Sequence, residues 1–133
     1  MNRIEHIGIA VKDIEAATSL YTKLFNKEPY KTEIVESEAV STVFFETGQS
    51  KIELLGANSE DSAIAKYIAK KGEGIHHIAF AVDDIASEVE RLVNEGFQAI
   101  SSAPKKGADN KLVFFFHPKS TNGVLIELCQ EIH

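Results

Sequence analysis

Ile4-Glu5-His6-Ile7-Gly8-Ile9-Ala10-Val11-Lys12-Asp13-Ile14 returns later in the chain as Ile75-His76-His77-Ile78-Ala79-Phe80-Ala81-Val82-Asp83-Asp84-Ile85. The offset is 71, so His6 falls on His77, Val11 on Val82, Asp13 on Asp84 and Ile14 on Ile85. A second pair follows in the same order: Lys51-Ile52-Glu53-Leu54-Leu55 and Leu125-Ile126-Glu127-Leu128-Cys129, at an offset of 74. The extra residues fit the loop around Ala103–Asn110. Two ordered matches, each with a polar residue set amid apolar ones, mark a tandem repeat.

Each copy reads β-α-β-β-β. Residues 3–11 alternate as a strand does. Asp13 is placed to cap a helix over about 13–26, whose Ile14, Ala17, Leu20, Tyr21 and Leu24 recur at helical spacing. Strands are expected near 30–36, 40–46 and 51–56, with Thr47-Gly48-Gln49-Ser50 as a turn. Residues 57–74 link the copies, and Ser62 and Gly72 bracket a short helix there. The second copy predicts a strand at 75–82, a helix at 84–95 stopped by Gly96, and strands near 97–101, 112–117 and 123–129. The expected fold class is α+β: one domain over 1–133, with modules of about 1–56 and 75–133 forming curved mixed sheets.

Alternation sorts the side chains. Ile7, Ile9 and Val11 share one face of the first strand, and His6, Gly8 and Ala10 the other. In the copy, Ile78, Phe80 and Val82 oppose His77, Ala79 and Ala81. Glu53 and Glu127 likewise point away from their Ile and Leu neighbours. Four polar residues, His6, Glu53, His77 and Glu127, therefore hold repeat-equivalent inward positions. Buried carboxylates are costly unless paired or coordinated. Two imidazoles and two carboxylates suit a divalent ion such as Co, Ni, Mn, Fe or Zn. Four protein donors would leave two positions of an octahedral ion for water or substrate.

The rest of the composition narrows the field. The chain has 133 residues, 44% hydrophobic and 26% charged, as a globular domain does. Fourteen Lys and Arg against 20 Asp and Glu give a net charge of −6, which argues against a general nucleic-acid binder. A single cysteine, Cys129, excludes a disulfide scaffold. No apolar stretch is long enough to span a membrane, and no leader-like apolar region opens the chain. A cytoplasmic location is expected.

The paired units and the His/Glu/His/Glu set resemble the vicinal oxygen chelate (glyoxalase/bleomycin-resistance) superfamily, and within it the methylmalonyl-CoA epimerases. The matching segments include Ile64-Ala65-Lys66-Tyr67-Ile68, Lys71-Gly72-Glu73-Gly74-Ile75-His76-His77 and His117-Pro118-Lys119-Ser120-Thr121-Asn122-Gly123. The resemblance implies inversion at C2 of methylmalonyl-CoA through a metal-stabilised enolate. His6, Glu53, His77 and Glu127 would hold the metal, with Co2+ first and Ni2+, Mn2+ or Zn2+ as alternatives. Glu127 and Glu53 would carry the chemistry, a homodimer would form, and no nucleic acid or membrane would be bound. Some epimerases have a glutamate where this chain has Thr42, so Thr42 is named as a substrate contact instead. An acyl-CoA carries phosphates, for which Lys70, Lys71, Lys105, Lys106, Lys111 and Lys119 are candidates, Lys119 foremost. The competing readings are a glyoxalase I type lyase and a non-catalytic small-molecule-binding protein. The Pro118–Gly123 segment favours the epimerase over the former, and four intact candidate ligands count against the latter.

Overall fold

The computed structural model describes residues 1–133. Eleven elements follow the repeat. The first copy supplies β1 (Arg3–Val11), α1 (Ile14–Phe25), β2 (Lys31–Val35), β3 (Val40–Thr47) and β4 (Ser50–Ala57). After α2 (Ala63–Lys71), the second copy supplies β5 (Gly74–Ala81), α3 (Ile85–Asn94), β6 (Lys105–Lys106), β7 (Lys111–Phe116) and β8 (Ile126–Glu131). The fold is the α+β arrangement of two β-α-β-β-β modules.

The helix starts follow from local chemistry. Asp13 Oδ1 accepts from the amides of Glu15 and Ala16, and Asp84 accepts from the amide of Ser87. Ser62 accepts from the amide of Ala65 at the start of α2. Each cap satisfies donors that have no partner within the first helical turn. Asn26 closes α1 in the left-handed conformation, which asparagine tolerates better than most residues.

By contact the chain divides into two compact units: Ile7–His76, and Met1–His6 together with His77–His133. In the Ile7–His76 unit the strand order is β2-β3-β4-β1, with β2, β3 and β4 antiparallel. Ile14, Ala17, Tyr21 and Phe25 of α1 pack on Val11, Val43, Phe45 and Leu54. On the opposite face Ala10, Val40 and Leu55 pack under Ile64, Tyr67 and Ile68 of α2. The small-residue face of β1 is thus covered at Ala10 by a helix rather than left open. Register sets Thr42 opposite Leu55 and Phe44 opposite Glu53, so Thr42 and Glu53 share that second face.

In the other unit the order is β1-β5-β8-β7-β6. The Asn2 amide donates to the Ala81 carbonyl at 2.8 Å. β5 and β8 are parallel, and β7 is antiparallel to both β8 and β6. Val82, Ile85 and Leu92 pack on Phe114, Phe116 and Leu128. The other face carries Ala79, Val113, Phe115 and Cys129. The strand expected over 97–101 is reduced to a single bridge, Ala99 to Phe116. There the Ser101 hydroxyl, rather than a carbonyl, accepts from the Phe115 amide at 3.1 Å. Pro104, which has no N–H, follows, and pairing resumes only at Lys105–Lys106.

Candidate functional site

Three donor atoms converge on one face of the Met1–His6/His77–His133 unit. His6 comes from β1, His77 from β5 and Glu127 from β8. Alternation places His77 beside Ala79, and Glu127 stands in register with both Ala79 and Phe115. The Nε2 atoms of His6 and His77 are 3.0 Å apart. Glu127 Oε1 lies 2.9 Å from His77 Nε2 and 3.4 Å from His6 Nε2. All three residues are buried. Phe115, the middle of the Phe114–Phe116 run, sets its ring edge-on to His77 with centroids 6.0 Å apart.

Two imidazole nitrogens at 3.0 Å need a hydrogen or a cation between them: one Nε2–H donates to the other Nε2, or both nitrogens ligate one ion. Donors about 2.1 Å from a first-row ion lie about 3.0 Å apart when cis on an octahedron and about 3.4 Å apart on a tetrahedron. The three observed separations, 2.9, 3.0 and 3.4 Å, lie at or close to those values, and none reaches the roughly 4.2 Å expected of trans donors on an octahedron. The set has the spacing of a triangular face of a coordination polyhedron and could hold a metal ion through two histidines and one carboxylate. A divalent ion fits these residues.

Two further side chains stand behind the donors. Glu5 is 2% exposed, and His6 Nδ1 donates to its Oε1 at 2.9 Å. Cys129 Sγ donates to Glu127 Oε2 at 3.2 Å. Burial pushes the Glu127 carboxyl up. Hydrogen bonds from His6 and His77, reinforced by their charge, outweigh that and hold it far below the ordinary carboxylate range. Alternation assigns Glu5 to the apolar face of β1, which hides its role. Its signal was a carboxylate interrupting that face directly beside a candidate ligand.

The remaining expected residues sit as follows. Glu53 is buried on β4, in the Ile7–His76 unit. Thr42 is 1% exposed and its hydroxyl donates to the Glu33 carbonyl at 2.9 Å, a bond that ties β3 to β2. Lys119 is exposed in the 3-10 turn Pro118–Ser120, where its amide donates to His117 Nδ1. Lys111 is not a solvent-facing cation. Its ammonium is buried, donates to the Asp109 carbonyl at 3.1 Å and faces carboxylates of Asp109 and Glu131 at 3.6 Å each. Lys70, Lys71, Lys105 and Lys106 are exposed.

The chain matches the model of the Glyoxalase/Bleomycin resistance protein/Dioxygenase superfamily over residues 5–115. It is 39% identical over 130 residues to the uncharacterized protein YqjC of Bacillus subtilis, covering 98% of this chain and 93% of that one. It is also 39% identical over 132 residues to the ethylmalonyl-CoA/methylmalonyl-CoA epimerase of Cereibacter sphaeroides, covering 98% of each. A variant of the Streptomyces coelicolor methylmalonyl-CoA epimerase, solved in complex with 2-nitronate-propionyl-CoA, is similar at a TM-score of 0.92 and 33% identity. That match covers 100% of this chain and 99% of the other.

Proposed function

Since the chain belongs to the glyoxalase/bleomycin resistance protein/dioxygenase superfamily, we propose that it is a metal-dependent epimerase acting at C2 of methylmalonyl-CoA. The observation that carries this reading is the convergence of His6 Nε2, His77 Nε2 and Glu127 Oε1 on one point. Similarity to epimerases over nearly the whole chain supports it. From the repeat alone we carry Glu53 forward as the fourth donor, because it matches Glu127 in the first copy.

The substrate's C2–H lies between a thioester carbonyl and a carboxylate. Removing that proton sends its electron pair into the thioester, giving an enolate, and returning a proton to the opposite face inverts the centre. The residues that would hold a divalent ion, Co2+ in this reading, are His6, His77, Glu127 and Glu53, and once bound it would supply positive charge near the developing oxyanion. With the ion bound, His6 and His77 would turn neutral Nε2 lone pairs to it in place of their contacts with Glu127 Oε1. Glu127 serves as the proton-transfer group on one face and Glu53 on the other. Thr42 and Lys119 are the proposed substrate contacts, the latter toward the CoA phosphates. A homodimer in the cytoplasm completes the reading, and no helix is long and apolar enough to cross a membrane.

The test is proton exchange. Co2+-loaded protein is incubated with (2R)-methylmalonyl-CoA in heavy water while the C2 proton is followed by NMR. Loss of that signal together with appearance of the other epimer, both stopped by a chelator, is expected. Silence here with turnover of the methylglyoxal–glutathione hemithioacetal would overturn the epimerase in favour of the lyase. Silence with both substrates while metal stays bound would overturn both enzymes.

A further inference from the structure

We propose that Glu5 is a positioning residue that fixes the tautomer and ring orientation of His6, an inference that rests on the metal reading above. An ionised carboxylate only accepts hydrogen bonds, so the 2.9 Å contact assigns the proton of a neutral His6 to Nδ1. Nε2, the atom 3.0 Å from its counterpart on His77 and 3.4 Å from Glu127 Oε1, then carries the lone pair that a metal ion would take. Metal-ligating histidines commonly donate their second ring nitrogen to such a carboxylate, which raises the basicity of the ligating nitrogen. Glu5 is itself held: Arg3 lies 4.0 Å from its Oε2 and His6 engages Oε1.

The repeat shows that this arrangement is not imposed by the module. The position matching Glu5 in the second copy is His76, whose ring meets Tyr67 edge-on with centroids 4.7 Å apart. The carboxylate directly preceding a candidate histidine ligand is therefore a property of the first copy alone. The two histidines, equivalent by sequence, differ in what stands next to them along the chain. In this assignment His6 is the more basic and more rigid donor, and its ring stays fixed while substrate enters and leaves.

The experiment uses Glu5→Leu, which removes the acceptor, and Glu5→Gln, which removes only its charge. Proton–nitrogen correlation spectra of the metal-free proteins report the His6 tautomer, and Co2+ titration reports affinity. The wild type is expected to hold the Nδ1–H form. Glu5→Leu should lose that preference and bind Co2+ about 10- to 100-fold more weakly, with Glu5→Gln between the two. If Glu5→Leu does not fold, Glu5→Gln decides. A folded variant that matches the wild type in both tautomer and affinity overturns the role of Glu5. A wild type that binds no Co2+ overturns the metal reading and this inference with it, so the two failures are distinguishable.

Discussion

Glu127 carries different partners on its two oxygens: the histidine nitrogens at Oε1 and the Cys129 thiol at Oε2. Replacing it with alanine removes a donor and leaves the thiol and two imidazoles facing a gap. Glu127→Ala should therefore weaken Co2+ binding and abolish epimerisation together, which metal analysis and the exchange assay would both register. Unchanged metal content with unchanged turnover would remove Glu127 from the site. At this scale the sequence was legible where symmetry helped. His6, His77 and Glu127 stood out because each recurs or has a repeat partner. Glu5 did not, since a strand reading assigns faces and cannot show a carboxylate reaching the ring of its neighbour. Lys111 was equally opaque: nothing in its local sequence says that Asp109 and Glu131 enclose it.

The elements were legible where a cap or stop residue punctuates them. Ser62 and Gly72 bracket α2 as Ala63–Lys71, and Asp13 and Asp84 start α1 and α3. The strand expected near 97–101 shrinks to one bridge for a reason its sequence does not punctuate, a serine hydroxyl taking a ladder donor from across the sheet. Gly56 lies where α1 meets β4, and an added Cβ would sit 3.0 Å from Ile14 Cβ. Gly56→Ala should destabilise by about 1–3 kcal/mol, read from denaturant unfolding. Asp84 is the pH-sensitive cap. Hydrogen bonds from the Ser87 amide and hydroxyl lower its carboxyl from the ordinary range. A lowered folded-state value means that the cap's contribution is present above the ordinary aspartate range and is lost as pH falls through the lowered value. The melting-temperature gap between the wild type and Asp84→Ala should thus be widest near neutral pH and close on acidification. A gap independent of pH would show that the charge of Asp84 contributes nothing.

For the whole molecule the repeat was the strongest signal, since two matched segments in order imposed both the module and its duplication. The compact units do not follow the repeat, however. The first six residues belong with His77–His133, because the start of β1 bonds to β5 while its later half packs under α1 and α2. An ion bound only by the native state raises stability by mass action, about 2.7 kcal/mol at a hundredfold excess over its Kd. Chelator treatment should lower the unfolding midpoint by a corresponding amount, and re-addition of Co2+ should restore it. His6 and His77 are separated by 71 residues of chain. An ion gripping both would act as a clasp closing a loop of that length, a constraint that chain-entropy arguments put at about 4 kcal/mol against the unfolded state. A protein whose single cysteine denies it an internal disulfide would then own a reversible cross-link all the same, fastened by metal supply rather than by oxidation.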